Sequence, residues 1–166
     1  MIVFILFNLY QNLFITRSLP EQRLEIKSYS ERIASYKNFR QIIQRSWLTG
    51  RGMGNYTLTL HDQIKNNLAG YDYQPVHNTW LLLWAESGIG GLVFFLSLII
   101  YLIIKISKLT YRSKSNNLEL NMVFLIAIII MMMFDHWWWS LHFGILFFWL
   151  VVGFTIKSIK LNSLEK

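Results

Sequence analysis

His77 and Asn78 stand directly before a long apolar run, and after nine residues come Gly88, Gly90 and Gly91. Imidazole is the side chain that exchanges protons near neutral pH, so a histidine at the mouth of an apolar run places a proton acceptor at a membrane surface. Pro75 sets an extended approach. Asn78 or Thr79 is a natural N-cap for the helix that follows. The start of that helix carries roughly half a positive charge on its unpaired N–H groups. It therefore attracts phosphate, and it favours the neutral imidazole that accepts a proton. The plain alternative is an interfacial histidine with no chemical part.

Four other places could contribute chemistry. Ser30 is a plausible N-cap for an amphipathic helix reaching Trp47. At about 100° per residue, Tyr36, Phe39, Ile43 and Trp47 fall within about 60° of Arg32, which puts an arginine in the middle of the apolar arc. Arg32 either binds an anion there or snorkels. Gly50-Arg51-Gly52-Met53-Gly54 alternates glycines, which permit positive φ and can turn successive N–H groups, with Arg51, toward an anion. A simple helix-ending turn explains the same residues. Glu86 lies about two turns inside the apolar run, where a carboxylate needs a partner, with Arg32 one candidate, or must snorkel. Asp135-His136-Trp137-Trp138-Trp139 is an interfacial aromatic belt or a wall on which a sugar ring stacks, with Asp135 or His136 hydrogen-bonding it. His142, inside the last apolar run, reads as a packing or polar-bridging residue.

The elements that must position these groups are membrane helices. The chain has 166 residues, 54% of them hydrophobic, too apolar for a soluble domain. Residues 79–104 include one charge, Glu86, and would span about 39 Å as a helix. Residues 137–156 have no formal charge and would span about 30 Å. Residues 118–134 contain only Glu119 and lie at the short end of a spanning length. Residues 1–16 are apolar, without a basic flank or cleavage site of a signal peptide, and read as part of a membrane helix. Gly88, Gly90 and Gly91 allow close helix packing or a local break. The expected fold is an all-α integral membrane protein with about four transmembrane segments. Its parts are segment 1–16, a large extracytoplasmic loop 17–78 with the amphipathic helix, three membrane helices in 79–156, and a cytoplasmic tail 157–166.

Charge placement sets the orientation. Lys105, Lys108, Arg112 and Lys114 follow one apolar run and Lys157, Lys160 and Lys166 another, and short basic segments stay in the cytoplasm. The loop thus falls outside, although it has nine cations, Arg17 to Lys65, against five carboxylates, Glu21 to Asp72. Such a surface suits an anionic ligand or lipid headgroup, with no sign of a nucleic-acid partner. Cysteine is absent, so no thiolate site exists. The histidines lack a two-histidine helical ligand spacing, and there is no Gly-x-Ser-x-Gly elbow, so neither a metal nor a serine nucleophile is expected. No cofactor is implied.

"ERIASYKNFRQII" with Arg32, "LTGRGMGNY", "VHN" with its downstream Gly-x-x-Gly, and "MMMFDHWWWSLHFGILFFWLVVG" occur in this order. Together they resemble the C-terminal part of the membrane domain shared by O-antigen ligases and polymerases. The His-Asn-x9-Gly-x-x-Gly spacing is the specific element. The resemblance implies a bacterial inner-membrane glycosyltransferase with its active face outside, moving a glycan from undecaprenyl diphosphate to a saccharide or glycolipid acceptor. It implies His77 as the group activating the acceptor hydroxyl and Arg32 as a diphosphate ligand. Arg51, to which the resemblance gives no counterpart, and Asn78 are expected as further substrate contacts from their places in the glycine turn and beside His77. Family members have ten or more membrane helices, so a second polypeptide or further sequence is expected to supply the rest. Ligase and polymerase remain open alternatives, as does a non-catalytic membrane subunit or transporter fragment that binds anionic lipid.

Overall fold

The computed structural model describes residues 10–11, 23–63, 73–113 and 116–164. Apart from residues 10 and 11, the expected first membrane segment, 1–16, lies outside them, as do Arg17 and Lys65. Among the described residues the fold is all-helical: α1 (Arg23–Gln44), α2 (Tyr56–Gln63), α3 (Thr79–Ser113), α4 (Asn116–Met131), α5 (Trp137–Ser140) and α6 (His142–Leu164). α3 and α6 are long and apolar enough to cross a membrane, and α4 is a shorter apolar helix.

α1 begins seven residues before the expected cap, because no glycine or proline interrupts residues 21–49. Ser30 is therefore inside the helix, and its hydroxyl donates back to the Lys27 carbonyl at 2.8 Å. The buried stripe is Ser35, Phe39, Ile42, Ile43 and Ser46, whereas Tyr36 and Trp47 are 43% and 54% exposed. Arg32 is on this stripe one turn earlier, where burial has not begun, and it is exposed.

α3 is two helices joined at Gly88, whose φ of 72° and ψ of −179° belong to a region that side-chain-bearing residues avoid. The break frees backbone groups, and the glycine turn takes them up. Arg51 N–H donates to the Ala85 carbonyl at 2.8 Å and Gly52 N–H to the Glu86 carbonyl at 2.9 Å, while Ile89 N–H donates to the Trp47 carbonyl at 3.0 Å. Gly50 and Gly88 lie back to back, so close that a Cβ on either would overlap the other strand's backbone. Gly88, inside the apolar run, thus serves a local break, which hydrocarbon surroundings tolerate only where other protein groups satisfy the backbone.

The core has two parts, and Leu83, before the break, belongs to the second. Residues 79–87 of α3 place Leu82 and Ala85 against Phe39, Ile42, Tyr56 and Leu60 of α1 and α2. Beyond the break, Phe95, Ile99 and Leu102 pack with Leu125 and Ile128 of α4 and Phe148 and Val152 of α6. An amide–hydroxyl bond from Asn121 Nδ2 to Ser158 Oγ, 2.7 Å, ties α4 to α6. The opposite faces expose Val93, Phe94, Ile100, Leu146 and Leu150, as a bilayer permits. The last apolar run is not one helix. Leu141 is extended, with φ −103° and ψ 133°, and separates α5 from α6, which continues through Lys157 and Lys160 to Leu164.

Candidate functional site

The site forms where the start of α3 meets the end of α4. A helix start has unpaired N–H groups and a helix end unpaired carbonyls, and here they satisfy each other. Thr79 N–H donates to the Met132 carbonyl at 2.8 Å. Asn78 Nδ2 donates to the Met133 carbonyl at 3.0 Å, and Thr79 Oγ1 to the Asp135 carbonyl at 2.7 Å. Asn78 Oδ1 accepts from Leu81 N–H at 3.1 Å, which is the N-cap expected from sequence. These bonds hold the 132–136 turn against the residues just before α3, and so bring Asp135 and His136 to His77.

Asp135 Oδ1 lies 3.5 Å from His77 Nδ1 and 3.6 Å from His136 Nε2. The same oxygen accepts from the His136 backbone N–H at 2.7 Å. The two imidazoles are 5.5 Å apart between centroids. His77 Nδ1 is buried and makes no hydrogen bond among the described residues. Its 3.5 Å approach to the carboxylate is therefore a near-contact. His136 Nδ1 meets Ser140 Oγ at 2.6 Å. Burial holds His136 below the ordinary histidine value, against the pull of Asp135, and the neighbouring His77 acts in the same direction as burial.

Two cavities flank this cluster. His77 lines a polar groove of about 200 Å³ with Lys27, Glu31, Ser35, Asn38 and Gln74. Lys27 and Glu31 form an ion pair of 3.6 Å on successive turns of α1. On the other side Pro75 and Ser140 open onto an aromatic cavity of about 500 Å³ that also reaches Tyr56, Glu86, Trp138, Trp139 and Trp149.

The family model described as O-antigen ligase matches residues 1–96. The chain belongs to the O-antigen ligase family. The match includes Arg32, the glycine turn, His77-Asn78 and Gly88 to Gly91, and it ends before Asp135. No curated protein and no solved structure matched the chain.

Within the family segment, the structure separates residues that the sequence grouped as substrate contacts. Arg32 is exposed on α1 and is not among the groove residues beside His77. Asn78 is engaged at both ends of its amide, by Leu81 and by Met133. The glycine turn is not an open anion cradle, because the Arg51 and Gly52 amides are already bonded to α3 carbonyls. The Arg51 side chain is half-buried and its Nε has no acceptor among the described residues. The start of α3 is likewise a poor phosphate cradle: the amides of Thr79, Leu81 and Leu82 bond to Met132, the Asn78 side chain and the Asn78 backbone.

Glu86 is 6% exposed. Its partner is not a cation but the Trp139 indole, whose Nε1 donates to Oε2 at 2.8 Å. The tryptophan triplet divides: Trp137 is 46% exposed, while Trp138 and Trp139 face the aromatic cavity. His142 is exposed at the start of α6, so the packing role expected of it is corrected.

Asp135 and His136 as neighbours of His77 were not visible in sequence, since 58 residues separate His77 from Asp135. The same convergence bears on metal binding. Spacing along the chain offered no ligand set, yet donor atoms of His77, Asp135 and His136 lie within 4.8 Å of one another. Two imidazoles and a carboxylate are a donor set that can hold a divalent transition metal.

Proposed function

We propose that this domain belongs to a bacterial inner-membrane glycosyltransferase that moves a glycan from undecaprenyl diphosphate to a saccharide acceptor on the extracytoplasmic face. The observation that carries the reading is His77, inside the family-matched segment, with Asp135 at its Nδ1 and a polar groove at its side. A carboxylate opposite Nδ1 favours the tautomer protonated there and leaves Nε2 as the base. An acceptor hydroxyl gives its proton to Nε2, and its oxygen attacks the anomeric carbon. The bond from that carbon to the diphosphate breaks, and the diphosphate leaves with the electron pair. Attack opposite the leaving group inverts the anomeric centre. Diphosphate is a good leaving group, so the protein's task is a base, an oriented acceptor and cations for the departing charge. Arg32 and Arg51 are taken as those cations, from positions outside the groove beside His77. None of these steps demands a metal or another cofactor. A polymerase, in which the acceptor is a second carrier-linked unit, uses the same steps.

The membrane arrangement belongs to the same proposal. The loop residues and the 132–136 turn lie outside. The experiment is reconstitution of the chain, with any companion polypeptide, in proteoliposomes holding a lipid-diphosphate-linked glycan and a saccharide acceptor. Release of carrier diphosphate together with an inverted glycosidic product supports the proposal. Protein that binds anionic lipid but never consumes the carrier-linked glycan would instead make it a non-catalytic membrane subunit.

A further inference from the structure

The cavity between α2, the first half of α3, α5 and α6 holds two polar groups that the fold leaves poorly served. Tyr56 is 1% exposed, and its hydroxyl is buried with no hydrogen-bond partner among the described residues. Burial pushes that hydroxyl well above the ordinary tyrosine range. Glu86, also on the wall, receives one bond from Trp139, where a carboxylate accepts roughly four. Buried polar groups in native proteins are as a rule bonded, so a wall with two under-served ones calls for a ligand that supplies the missing donors and acceptors.

The remaining wall narrows the ligand class. Trp138, Trp139, Trp149 and Phe148 give it flat aromatic surface. A cavity of about 500 Å³ falls in the size range of small-molecule sites. A hydrocarbon chain would suit the aromatic rings but would leave the Tyr56 hydroxyl and the Glu86 carboxylate unpaired. A phosphate would meet the Glu86 carboxylate, and no cation lines the cavity. A sugar ring satisfies both kinds of wall, with an apolar C–H face for the indoles and hydroxyls for Glu86 and Tyr56. Ser140 joins the cavity to the reacting cluster, since it lines the wall and meets His136, whose neighbour is Asp135.

We propose that this aromatic cavity is a saccharide-binding subsite in which Glu86 and the Tyr56 hydroxyl hydrogen-bond sugar hydroxyls against the tryptophan wall. The assignment deepens the transferase reading and rests on it for where the sugar comes from, the acceptor or the carrier-linked glycan. Three tryptophans on the wall make binding visible without turnover. The test is intrinsic fluorescence of the purified full chain in detergent, titrated with free trisaccharides of hexose, N-acetylhexosamine and deoxyhexose, and separately with farnesol. A saturable change with at least one saccharide is expected. Tyr56→Phe should weaken it about 2–10-fold and Glu86→Gln about 10-fold or more, as loss of a neutral and of a charged hydrogen bond would. Tyr56→Phe removes an unpaired buried hydroxyl, so its melting temperature should match or exceed that of the wild type, and its weaker binding is not a folding defect.

Persistence of the signal with carrier-linked glycan already bound assigns the sugar to the acceptor, and competition assigns it to the donor; both uphold the subsite. No saturable response to any saccharide overturns it, as does a farnesol response that Tyr56→Phe leaves unchanged. Saccharide binding without transfer would keep the subsite and remove the transferase reading. Transfer that Tyr56→Phe and Glu86→Gln leave unchanged, with no saccharide response, would do the reverse.

Discussion

Gly88→Ala strikes the joint between the glycine turn and the broken helix, and the structure gives its cost in two parts. The first is backbone strain. A φ of 72° with ψ −179° is a glycine region, and alanine held there costs about 1–3 kcal/mol. The second is the added methyl, which overlaps the Leu48 backbone carbonyl. Backbone cannot swing aside as a side chain does. Relief means loosening the bonds from Arg51 to Ala85, Gly52 to Glu86 and Ile89 to Trp47. Losing two of the three removes about 1–3 kcal/mol at the net value of a hydrogen bond. The sum, about 2–6 kcal/mol, is a large share of the 5–15 kcal/mol typical of a folded domain. Gly90 supplies the control, two residues away. It is helical and a Cβ there meets nothing within 4 Å, so Gly90→Ala should stabilise by up to about 1 kcal/mol. Thermal unfolding of purified protein in detergent reads both. At roughly 2–4 °C per kcal/mol for a chain of this size, Gly88→Ala should melt about 4–24 °C lower, while Gly90→Ala melts unchanged or higher. Gly50→Ala should resemble Gly88→Ala, and the double variant should cost less than the sum because both break one joint. Gly88→Ala and Gly90→Ala melting together would refute the reasoning.

Acidification should destabilise the site. The folded value of His136 lies below the ordinary 6.5, so between the two values the unfolded chain binds more protons and stability rises with pH. The contribution is complete above about pH 6.5 and is lost as the pH falls below it. His136→Gln should flatten the pH dependence of the melting temperature there, and equal slopes would exclude the effect. Trp139→Phe should cost about 1.5–3 kcal/mol by leaving the buried Glu86 carboxylate without its donor. Adding Glu86→Met should return most of that loss in the same melting assay, since no buried carboxylate is then left unpaired. Arg32→Ala should weaken binding of the carrier-linked glycan about 10–100-fold, with Arg32→Lys recovering only part because a point charge replaces a planar fork. Unchanged binding in an equilibrium assay would remove Arg32 from the diphosphate site.

Local chemistry was legible in the sequence, and convergence over long separation was not. Asn78 caps α3 as expected because an N-cap depends only on residues within one turn. Gly88, Gly90 and Gly91 signalled close packing or a break, and the break was real. That it sits at Gly88, and that Gly50 fills it, depends on a contact across 38 residues. The glycine turn was read as able to present amides to an anion, and it does present them, but to the Ala85 and Glu86 carbonyls. Periodicity placed Phe39 and Ile43 on the buried side of α1 but also Arg32, because periodicity gives direction around a helix and says nothing of where along it the packing begins. Asp135 was singled out only as a sugar contact. Its place beside His77 follows from a helix start and a helix end satisfying each other, a complementarity that residue types alone do not reveal.

The most direct test of the account separates binding from chemistry at His77. In the reconstituted protein, equilibrium binding of the lipid-diphosphate-linked glycan and single-turnover transfer to a saccharide acceptor are measured for wild type and His77→Ala. A general base supplies ~10²–10⁴-fold of rate, so the variant should bind the carrier as the wild type does and transfer slower by that factor. Transfer by His77→Ala at the wild-type rate would contradict the assignment of His77 as the base.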